Sequence, residues 1–553
     1  MKKLFETGLP VYILLIAVLF NACDTNIERS GLVTSKTFNY PLLKGKKENP
    51  VLRISIENRN AESIVKSFSI HLAGMNIDDI KELRIFYTGS DTLFSNKNQF
   101  GKSTPAQKET LINGLLTLKN GTNYFWVSCE LSDNVDLKSH VSILFNHVSL
   151  DDKKLSPIKT EGVPYLRTGV AVRKQWDDNV HTYRIPGLTT TNKGTLLAIY
   201  DIRRESGRDL QGHIDIGISR STDGGNTWEP MKIALDMGEW GGLPQKFNGV
   251  SDANILVDRT TGDIYIAGLW MFGVINSEGK WLERLNNESN DWNHQWRNMG
   301  SQPGFGVKET SQFIITKSSD DGQSWSKPVN LTKMCKKEEW WLWAPAPGHG
   351  ITLVDGTLIF PTQGRDKNGE TFSNLTYSKD SGKTWTTSNA AYHNTTENMA
   401  VQLSDGSIML NMRDNRNRTE KGIKNGRAIA TTSDLGETWI EHETSHRALV
   451  DCVCMACIHK HDFKDKHGYN KNVLFFSNPN SKYMRHKQTI KVSFDEGHTW
   501  PEKYWIELDE GKGSGYSCLT SIDEKTIGIL YEGSQAHMTF QAIDVEELLK
   551  VSN

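Results

Sequence analysis

The sequence predicts an all-β protein in which a six-bladed β-propeller follows a smaller β-sandwich. Two observations predict the fold class: a short pattern recurs five times in the C-terminal two-thirds, and the residues before it alternate in strand-like runs. A length of 553 residues also predicts more than one domain. We place a signal peptide at residues 1–22, the sandwich at 23–165 and the propeller at 166–553.

The recurring pattern is Ser/Thr-x-Asp-x-Gly-x-Ser/Thr-Trp, with its Asp at positions 223, 320, 380, 434 and 495. The Asp and Ser/Thr side chains can bond to nearby backbone N–H groups and form a turn. The Gly suits a backbone with positive φ, and the Trp can fill the space between neighbouring units. Since five copies cannot all occupy one active site, we interpret the pattern as a structural hairpin.

Small antiparallel sheets that repeat around an axis form a propeller. Five hairpins fit six blades if one blade lacks the pattern or closes the ring with both termini. The first interval, from Asp223 to Asp320, is the longest. It has room for a patternless blade or a long loop, and the polar, Trp-containing residues 276–306 favour a loop.

The N-terminus has the composition of an export signal. Met1-Lys2-Lys3 is basic, an apolar run extends from Val11 to Phe20, and the small residue Ala22 precedes Cys23. The apolar run is too short for a transmembrane helix. Cys23 looks like the lipidated cysteine of a bacterial lipoprotein. We therefore expect an exported protein, held at a membrane by this lipid only, in the periplasm or at the outer-membrane surface.

Residues 24 to about 165 contain no copy of the pattern. Runs such as 51–56 and 141–145 alternate in a strand-like way, which predicts a β-sandwich. Such sandwiches often accompany carbohydrate enzymes, so this domain either binds glycan or acts as a packing or spacer module. The net charge of −2 and the absence of a long basic run argue against a nucleic-acid partner.

The cysteine-rich segment 452–457 has two interpretations. Its spacing is compatible with metal ligands, but alternation in an apolar segment is more typical of a buried β-strand with small side chains. Disulfides are also available to an exported protein. We expect a strand here, and we expect neither a metal nor a cofactor.

Residues before the first repeat carry a resemblance to a known family. Arg184 lies in Tyr183-Arg184-Ile185-Pro186, Arg203 follows nineteen residues later, and Asp209 comes six residues after that. Together with the five repeats, this order resembles the bacterial exo-α-sialidases (neuraminidases) of glycoside hydrolase family 33, over about residues 170–547. The resemblance implies an enzyme that removes terminal α-linked sialic acid from glycoproteins, gangliosides and oligosaccharides.

The resemblance also implies three groups of site residues. The catalytic group contains the nucleophile, its base and the acid/base, which are respectively Tyr516, Glu397 and Asp209. The substrate carboxylate is bound by three arginines: Arg184, Arg413 and Arg485. The 4-hydroxyl side of the sugar is reached by Arg203 and Asp252, and Arg184 is braced by Glu532.

Some local features depart from the family's pattern or stay open. The family often has Cys-Gln-x-Ser where this chain has residues 454–457, and Glu-Ser-Gln around the base where it has residues 397–399. Asp252 is alternatively a turn residue before a strand at 253–257. The apolar pocket for the N-acetyl methyl group has two candidates, Trp270 and Phe272. His181 and His349 are further candidates for a general base, and we interpret both as structural residues.

The chemistry of sialic acid explains such a residue set. Its anomeric carbon carries a carboxylate, which planar guanidinium groups bind bidentately at any working pH. That carboxylate would repel an anionic nucleophile but not a neutral phenol, and sialidases with a Tyr nucleophile are known. A phenol with a pKa of about 10 needs a base, the role implied for Glu397. We expect the nearby arginines to favour the phenolate.

Three alternative functions stay open on the sequence. A trans-sialidase or intramolecular trans-sialidase would share the site and differ in acceptor-side aromatic residues and in water exclusion. A non-catalytic sialic-acid-binding propeller would have lost Tyr516, Glu397 or Asp209, all of which are present. An unrelated propeller with the same repeats would lack the three arginines.

Overall fold

The structure is a computed structural model that describes residues 32–549, with gaps at 60–61, 75–76, 104–106, 164, 211, 243, 274–281, 283–293, 295–299 and 466. The predicted signal peptide, Cys23 and much of the predicted loop 276–306 lie outside the described residues. Export and lipidation therefore stay predictions. Within the described ranges, no helix combines the length and apolar character needed to cross a membrane.

The N-terminal part is a sandwich of two antiparallel-rich sheets. The strands of one sheet are, in spatial order, Lys159–Gly162, Leu32–Thr37, Asn49–Asn58, Gly121–Leu131, Ile80–Gly89 and Gln99–Ser103. The facing strands are Lys153–Leu155, His140–Leu150, Ile64–Ala73 and Glu109–Thr117. Inward side chains alternate along the strands and form one apolar core. At its centre Phe68 is fully buried and its ring lies 4.9 Å from that of Phe125.

The C-terminal part is a ring of six four-stranded blades, as the sequence predicted. The strands of the first three blades are Thr182–Thr190, Leu196–Arg203, Ile214–Ser221, Lys232–Leu235; Asn248–Val257, Ile264–Phe272, Gln312–Ser318, Val329–Asn330; and Leu342–Pro345 with Ile351–Thr352, Leu358–Arg365, Thr371–Ser378, Thr386–Thr387 with Tyr392–His393. Those of the last three are Thr395–Gln402, Ile408–Asp414, Ala428–Thr432, Ile440–Glu441; Cys457–Lys464, Asn470–Pro479, His486–Ser493, Ile506–Lys512; and Ser517–Asp523, Thr526–Tyr531, Met538–Asp544, Leu166–Arg173.

Three kinds of short element complete the described fold. Gly348–His349 pairs with the second blade, and Leu42–Lys44 pairs with Leu166–Arg173. The α-helices are Thr332–Cys335 and Val545–Leu549. The 3-10 turns are Ile77–Asp79, Asp177–Asn179, Gln245–Phe247, Asn415–Arg418 and Glu502–Tyr504.

Each copy of the repeated pattern joins the third and fourth strands of one of the first five blades. In the third copy, Asp380 accepts hydrogen bonds from the backbone N–H and hydroxyl of Thr384, at 2.9 and 2.7 Å. Gly382 has φ +76°. Trp385 is buried and packs 6.1 Å from Tyr265 of the preceding blade. The pattern thus builds a turn and seals neighbouring blades, as predicted.

The sixth blade lacks the pattern because both ends of the propeller build it. Leu166–Arg173 pairs antiparallel with Met538–Asp544, with Val170 opposite Phe540. The same strand also pairs with His140–Leu150 of the sandwich. Among the alternatives the sequence left open, ring closure by both ends is therefore the one found, and a patternless blade between Asp223 and Asp320 is wrong.

The strand predicted for the cysteine-rich segment is largely wrong. Only Cys457 begins a strand, and residues 452–456 have irregular backbone in which Val453 has φ +63°. The Asp451 carboxylate accepts hydrogen bonds from the N–H groups of Val453 and Cys454, at 2.9 and 3.1 Å. In this turn the Asp451 side chain binds backbone N–H groups that would otherwise pair with a neighbouring strand. The six cysteines within the described residues are free thiols.

Candidate active site

The predicted site residues meet at one end of the ring. Arg184, Asp252 and Glu397 lie in the first strands of blades one, two and four, and Tyr516 immediately precedes the first strand of blade six. Two adjoining cavities of about 290 and 630 Å³ open here, and both are lined by Asp209, Arg413 and Tyr516. Since first strands of neighbouring blades contact one another around the axis, residues far apart in sequence converge on these two adjoining cavities.

The first strands are distorted where they carry site residues. Register irregularities lie between Arg184 and Gly187, between Ser251 and Asn254, and between Thr395 and Asn398. Ile185 and Asp252 have φ of +62° and +55°, which is costly for residues other than glycine. Such bulges redirect side chains next to active sites. Here they lie in the stretches that hold Arg184, Asp252 and Glu397.

Tyr516 lies at the centre of the site. Its hydroxyl donates a short hydrogen bond to Glu397 and accepts one from Arg413 Nη1 at 3.0 Å. Arg413 also forms an ion pair with Glu397. Tyr516 and Glu397 are each only 6 % exposed. The carboxylate is therefore positioned to receive the phenolic proton, and the guanidinium to stabilise the oxygen that loses it.

The phenol of Tyr516 is neutral in the free protein. Burial raises its pKa well above the ordinary value, the Glu397 charge raises it further, and Arg413 and Arg485 lower it. The sequence analysis expected the arginines to favour the phenolate. They do, but burial and the neighbouring carboxylate outweigh them. Tyr516 consequently depends on Glu397 to remove its proton.

Glu532 ties Arg184 to the backbone of Tyr516. It accepts hydrogen bonds from Arg184 Nε at 2.5 Å, from the Ile185 N–H at 2.9 Å and from the Tyr516 N–H at 3.0 Å. Burial alone would raise the pKa of Glu532, but Arg184 and these N–H groups lower it overall. This buried carboxylate thus sets the position of both a predicted arginine and the predicted nucleophile.

Two arginines flank the Tyr516 ring. The guanidinium carbons of Arg184 and Arg485 lie 5.4 and 5.3 Å from the ring centroid. Arg485 donates to the backbone carbonyls of Ser514 and Val453, at 2.9 and 3.4 Å. Among the residues that the structure describes, no carboxylate forms an ion pair with Arg485. With Arg413, these residues surround the phenol with positive charge that an anionic ligand can neutralise.

Arg203 also lines the larger cavity. It is buried, and its Nη2 donates to Asp201 at 2.9 Å and to Asp209 at 2.8 Å. Asp201 also accepts a hydrogen bond from the Ser251 hydroxyl at 2.6 Å. The Asp209 side chain is 71 % exposed at the cavity mouth. Arg203 therefore holds an accessible carboxylate over the cavity.

Asp252 is 5 % exposed and lines the smaller cavity. Burial raises its pKa well above the ordinary value, and the charges of Asp209, Asp201 and Glu397 raise it further. The sequence also allowed Asp252 to be a turn residue that precedes a strand. In the structure Asp252 lies inside the strand Asn248–Val257, but its backbone has the left-handed conformation typical of a turn. When it is protonated, this carboxyl can both donate and accept a hydrogen bond.

The raised pKa of Asp252 predicts a pH-dependent stability difference for Asp252→Asn. The folded state holds the proton more tightly than the unfolded chain, where the pKa is about 3.9. Wild-type stability is therefore lost as pH rises from about 4 through the folded pKa, whereas the amide variant does not titrate. Urea unfolding between pH 4 and 8 should show Asp252→Asn gaining stability relative to wild type. A pH-independent difference would contradict this, and Asp133→Asn, at an exposed residue of the sandwich, is the control variant.

Two residues that the sequence analysis considered for the sugar pocket lie outside the site. Trp270 and Phe272 belong to the apolar core of blade two, and neither lines the two cavities. Neither candidate for the N-acetyl pocket is therefore supported. Residues not singled out in advance line the cavities instead: Gln363, Arg365, Thr371, Thr396, Asn415, Arg418, Lys421, Tyr483 and Met484. The sequence did indicate that Asp201 could contact Arg203, because residues two apart in a strand lie on the same face.

Comparison with known proteins agrees with this geometry. Residues 185–519 match the BNR repeat-like domain, and residues 30–154 match the N-terminal domain of BNR-repeat neuraminidase. A sialidase of Bacteroides fragilis (strain YCH46) is 39 % identical, and the alignment covers 95 % of this chain and 96 % of that protein. The chain belongs to the BNR-repeat neuraminidase family.

Solved structures support the same assignment. The Hadza microbial sialidase Hz136 superposes with a TM-score of 0.82 at 36 % identity, covering 93 % of this chain and 99 % of that one. Trypanosoma rangeli sialidase in complex with sialic acid has a TM-score of 0.51 at 21 % identity, covering 69 % of this chain and 59 % of that one, and shows a shared fold alone. The family and enzyme class predicted from the sequence are confirmed: this neuraminidase-family chain is a glycoside hydrolase of the sialidase type.

Proposed function

We propose that this neuraminidase-family enzyme is an exo-α-sialidase that hydrolyses terminal α-linked sialic acid from sialoglycoconjugates with retention of configuration. The observation that carries the proposal is the contact set at Tyr516. Its hydroxyl bonds to Glu397 and Arg413, and Arg184 and Arg485 flank its ring. A carboxylate base, a phenol and three guanidinium groups that line two adjoining open cavities suit an anionic sugar better than a neutral one.

Binding begins with the substrate carboxylate. Arg184 and Arg413 already have carboxylate partners in Glu532 and Glu397, while Arg485 is held by backbone carbonyls. A sugar carboxylate between the three would add charge-assisted hydrogen bonds to preoriented guanidinium groups. Arg203 and the carboxyl of Asp252, which line the same two cavities, offer partners to the sugar's 4-hydroxyl group.

The chemistry then follows two displacements. Glu397 takes the phenolic proton as Tyr516 Oη attacks the anomeric carbon and the bond to the leaving glycan breaks. Asp209 gives a proton to the departing oxygen. It next removes a proton from water that cleaves the tyrosyl intermediate, and Glu397 returns its proton to Tyr516. Two inversions at one carbon retain the configuration.

The experiment that tests this proposal follows the products of α2,3- and α2,6-sialyllactose by proton NMR. We expect free sialic acid to appear first as the α-anomer, followed by mutarotation. Initial release of the β-anomer would contradict the double displacement. A 2,7-anhydro product, or transfer to added lactose, would assign the intramolecular or the intermolecular trans-sialidase instead. Binding without turnover would indicate a non-catalytic lectin.

The N-terminal sandwich has a packing role in this proposal. Lys36 pairs with Glu510 at 3.1 Å, and the Asn39 amide donates to the Glu507 carbonyl at 2.8 Å. His140 of the sandwich has its Nε2 3.3 Å from a carboxylate oxygen of Glu547 at the end of the propeller. These contacts support a module fixed to the catalytic domain. Glycan binding by the sandwich stays a prediction, as does tethering of the enzyme through a lipid on Cys23.

A further inference from the structure

Three potential metal ligands meet near the propeller axis, away from the cavity that holds Tyr516. They are His349, Cys457 and Cys518, and one ring nitrogen of the histidine and the two Sγ atoms all lie within 4.8 Å of one another. His349 is 5 % exposed and both thiols are fully buried. His349 lies beside blade two's first strand, and the cysteines lie in the first strands of blades five and six. The cluster therefore joins three parts of the ring.

The imidazole of His349 is oriented as a ligand. Its Nδ1 lies 3.0 Å from the Gly350 carbonyl oxygen. Because a carbonyl oxygen only accepts, the proton resides on Nδ1 and the lone pair of Nε2 is free. That lone pair faces Cys457, whose Sγ is 4.0 Å away. Metal-binding histidines typically donate their second ring N–H in this way.

The two sulfurs have different backbone partners. Cys457 Sγ accepts a hydrogen bond from the Leu519 N–H at 3.2 Å. Cys518 Sγ lies 3.6 Å from the Leu188 carbonyl oxygen, to which its thiol can donate until a metal displaces the proton. Zn²⁺ with two thiolates has no net charge, so occupation of this buried place leaves no unpaired ion.

The spacing is close to that of a zinc centre. Zn–S and Zn–N bonds of about 2.3 and 2.1 Å put tetrahedral S and N ligands about 3.6 Å apart. The observed 4.0 Å between Nε2 and Cys457 Sγ needs a contraction of only a few tenths of an ångström. His349 also lines a cavity of about 330 Å³ near the ends of the first strands opposite Tyr516, which gives the ion a route of entry.

We propose that His349, Cys457 and Cys518 form a structural Zn²⁺ site that fastens blades two, five and six at the axis. Binding forms one Zn–N and two Zn–S bonds and releases two thiol protons to solvent. Three protein ligands leave a fourth position for water. The proposal is independent of the catalytic assignment, because none of the three residues contacts the proposed nucleophile, base or acid/base through a hydrogen bond or ion pair in the described structure.

The test uses the full chain, stripped with a chelator under reducing conditions and then incubated with Zn²⁺ alone. We expect about one Zn²⁺ per chain after desalting, by elemental mass spectrometry, and a raised thermal midpoint. Co²⁺ in its place should give a thiolate-to-cobalt charge-transfer band in the near ultraviolet. Cys457→Ser should weaken Zn²⁺ binding at least about 100-fold and abolish that band. Cys335→Ser, which removes a buried thiol elsewhere, should change neither.

Three results would overturn the proposal: no retained Zn²⁺, undiminished Zn²⁺ binding by Cys457→Ser, or a Cys457–Cys518 disulfide in the protein as purified. If Cys457→Ser does not fold, the Zn²⁺ affinity of Cys518→Ser and the Co²⁺ spectrum of the wild-type protein test the proposal in its place. Sialidase activity serves only as a check that each variant is folded, so failure here leaves the proposed function untouched.

Discussion

Replacing Tyr516 by phenylalanine should reduce kcat/KM on sialyllactose by a factor on the order of 10³ to 10⁶. The variant keeps the ring and its contacts with Arg184 and Arg485 but loses the oxygen that bonds to Glu397 and Arg413. Glu397 stays paired with Arg413, so no buried charge is left alone. The loss should therefore fall on chemistry, with substrate affinity and thermal midpoint little changed.

A covalent probe makes this test specific. Wild-type enzyme treated with 2,3-difluorosialic acid should lose fluoride from the anomeric carbon of the reagent and gain one 3-fluorosialyl group, the mass of the reagent less HF, on the peptide that contains Tyr516. Tyr516→Phe should gain none, and Tyr469→Phe, which removes an exposed hydroxyl in a loop, should behave as wild type. An adduct on any other residue, or activity of Tyr516→Phe within tenfold of wild type, would exclude Tyr516 as the nucleophile.

Replacing Glu532 by glutamine should give the largest stability loss among the site residues, about 3–5 kcal/mol at pH 7. Both carboxylate oxygens already accept hydrogen bonds, from Arg184, Ile185 and Tyr516. The glutamine amide has only one oxygen that can accept hydrogen bonds, and its NH₂ group would face an N–H group that also donates. Arg184 also loses its buried counter-charge. We expect a raised KM as well, because Arg184 is then free to move away from the substrate carboxylate.

The pH dependence of the Glu532→Gln effect has a definite sign. The pKa of Glu532 is lower in the folded than in the unfolded protein, where it is about 4.3. Its stabilisation is present above that value and is lost as pH falls through the folded pKa. Denaturant unfolding should therefore show the wild-type advantage shrinking below about pH 4. Glu524→Gln, an exposed turn residue, is the control, and an advantage independent of pH would contradict the assignment.

Local chemistry explains what the sequence could predict. The repeated pattern needs only residues within one turn, such as Asp380 and Thr384, so its structure is readable from eight consecutive positions. Arg184, Arg413 and Tyr516 were placed by motif context, and the ring brings them together. Ring closure by Leu166–Arg173 was only one option, because pairing between residues so distant leaves no local signal.

The misses have equally specific causes. Alternating cysteines predicted a strand, but the Asp451 side chain takes the N–H groups of Val453 and Cys454 and turns the chain. Trp270 looked suited to a sugar pocket, yet its indole N–H bonds to Asn248 inside blade two at 3.1 Å. The raised pKa of Asp252 depends on burial and on three carboxylates from separate parts of the chain, which no single stretch of sequence displays.

The way the sixth blade is built sets the order in which a working enzyme can arise. Leu166–Arg173 leaves the ribosome early, whereas its partner Met538–Asp544 is among the last segments made. Until then the early strand has only sandwich partners, and the first and fifth blades each lack a neighbouring blade. A chain that stops after the fifth repeat would contain all the predicted arginines but neither the closing strands nor Tyr516. Translation must therefore run almost to its end before any catalytic competence exists, so activity reports on full-length product and not on fragments.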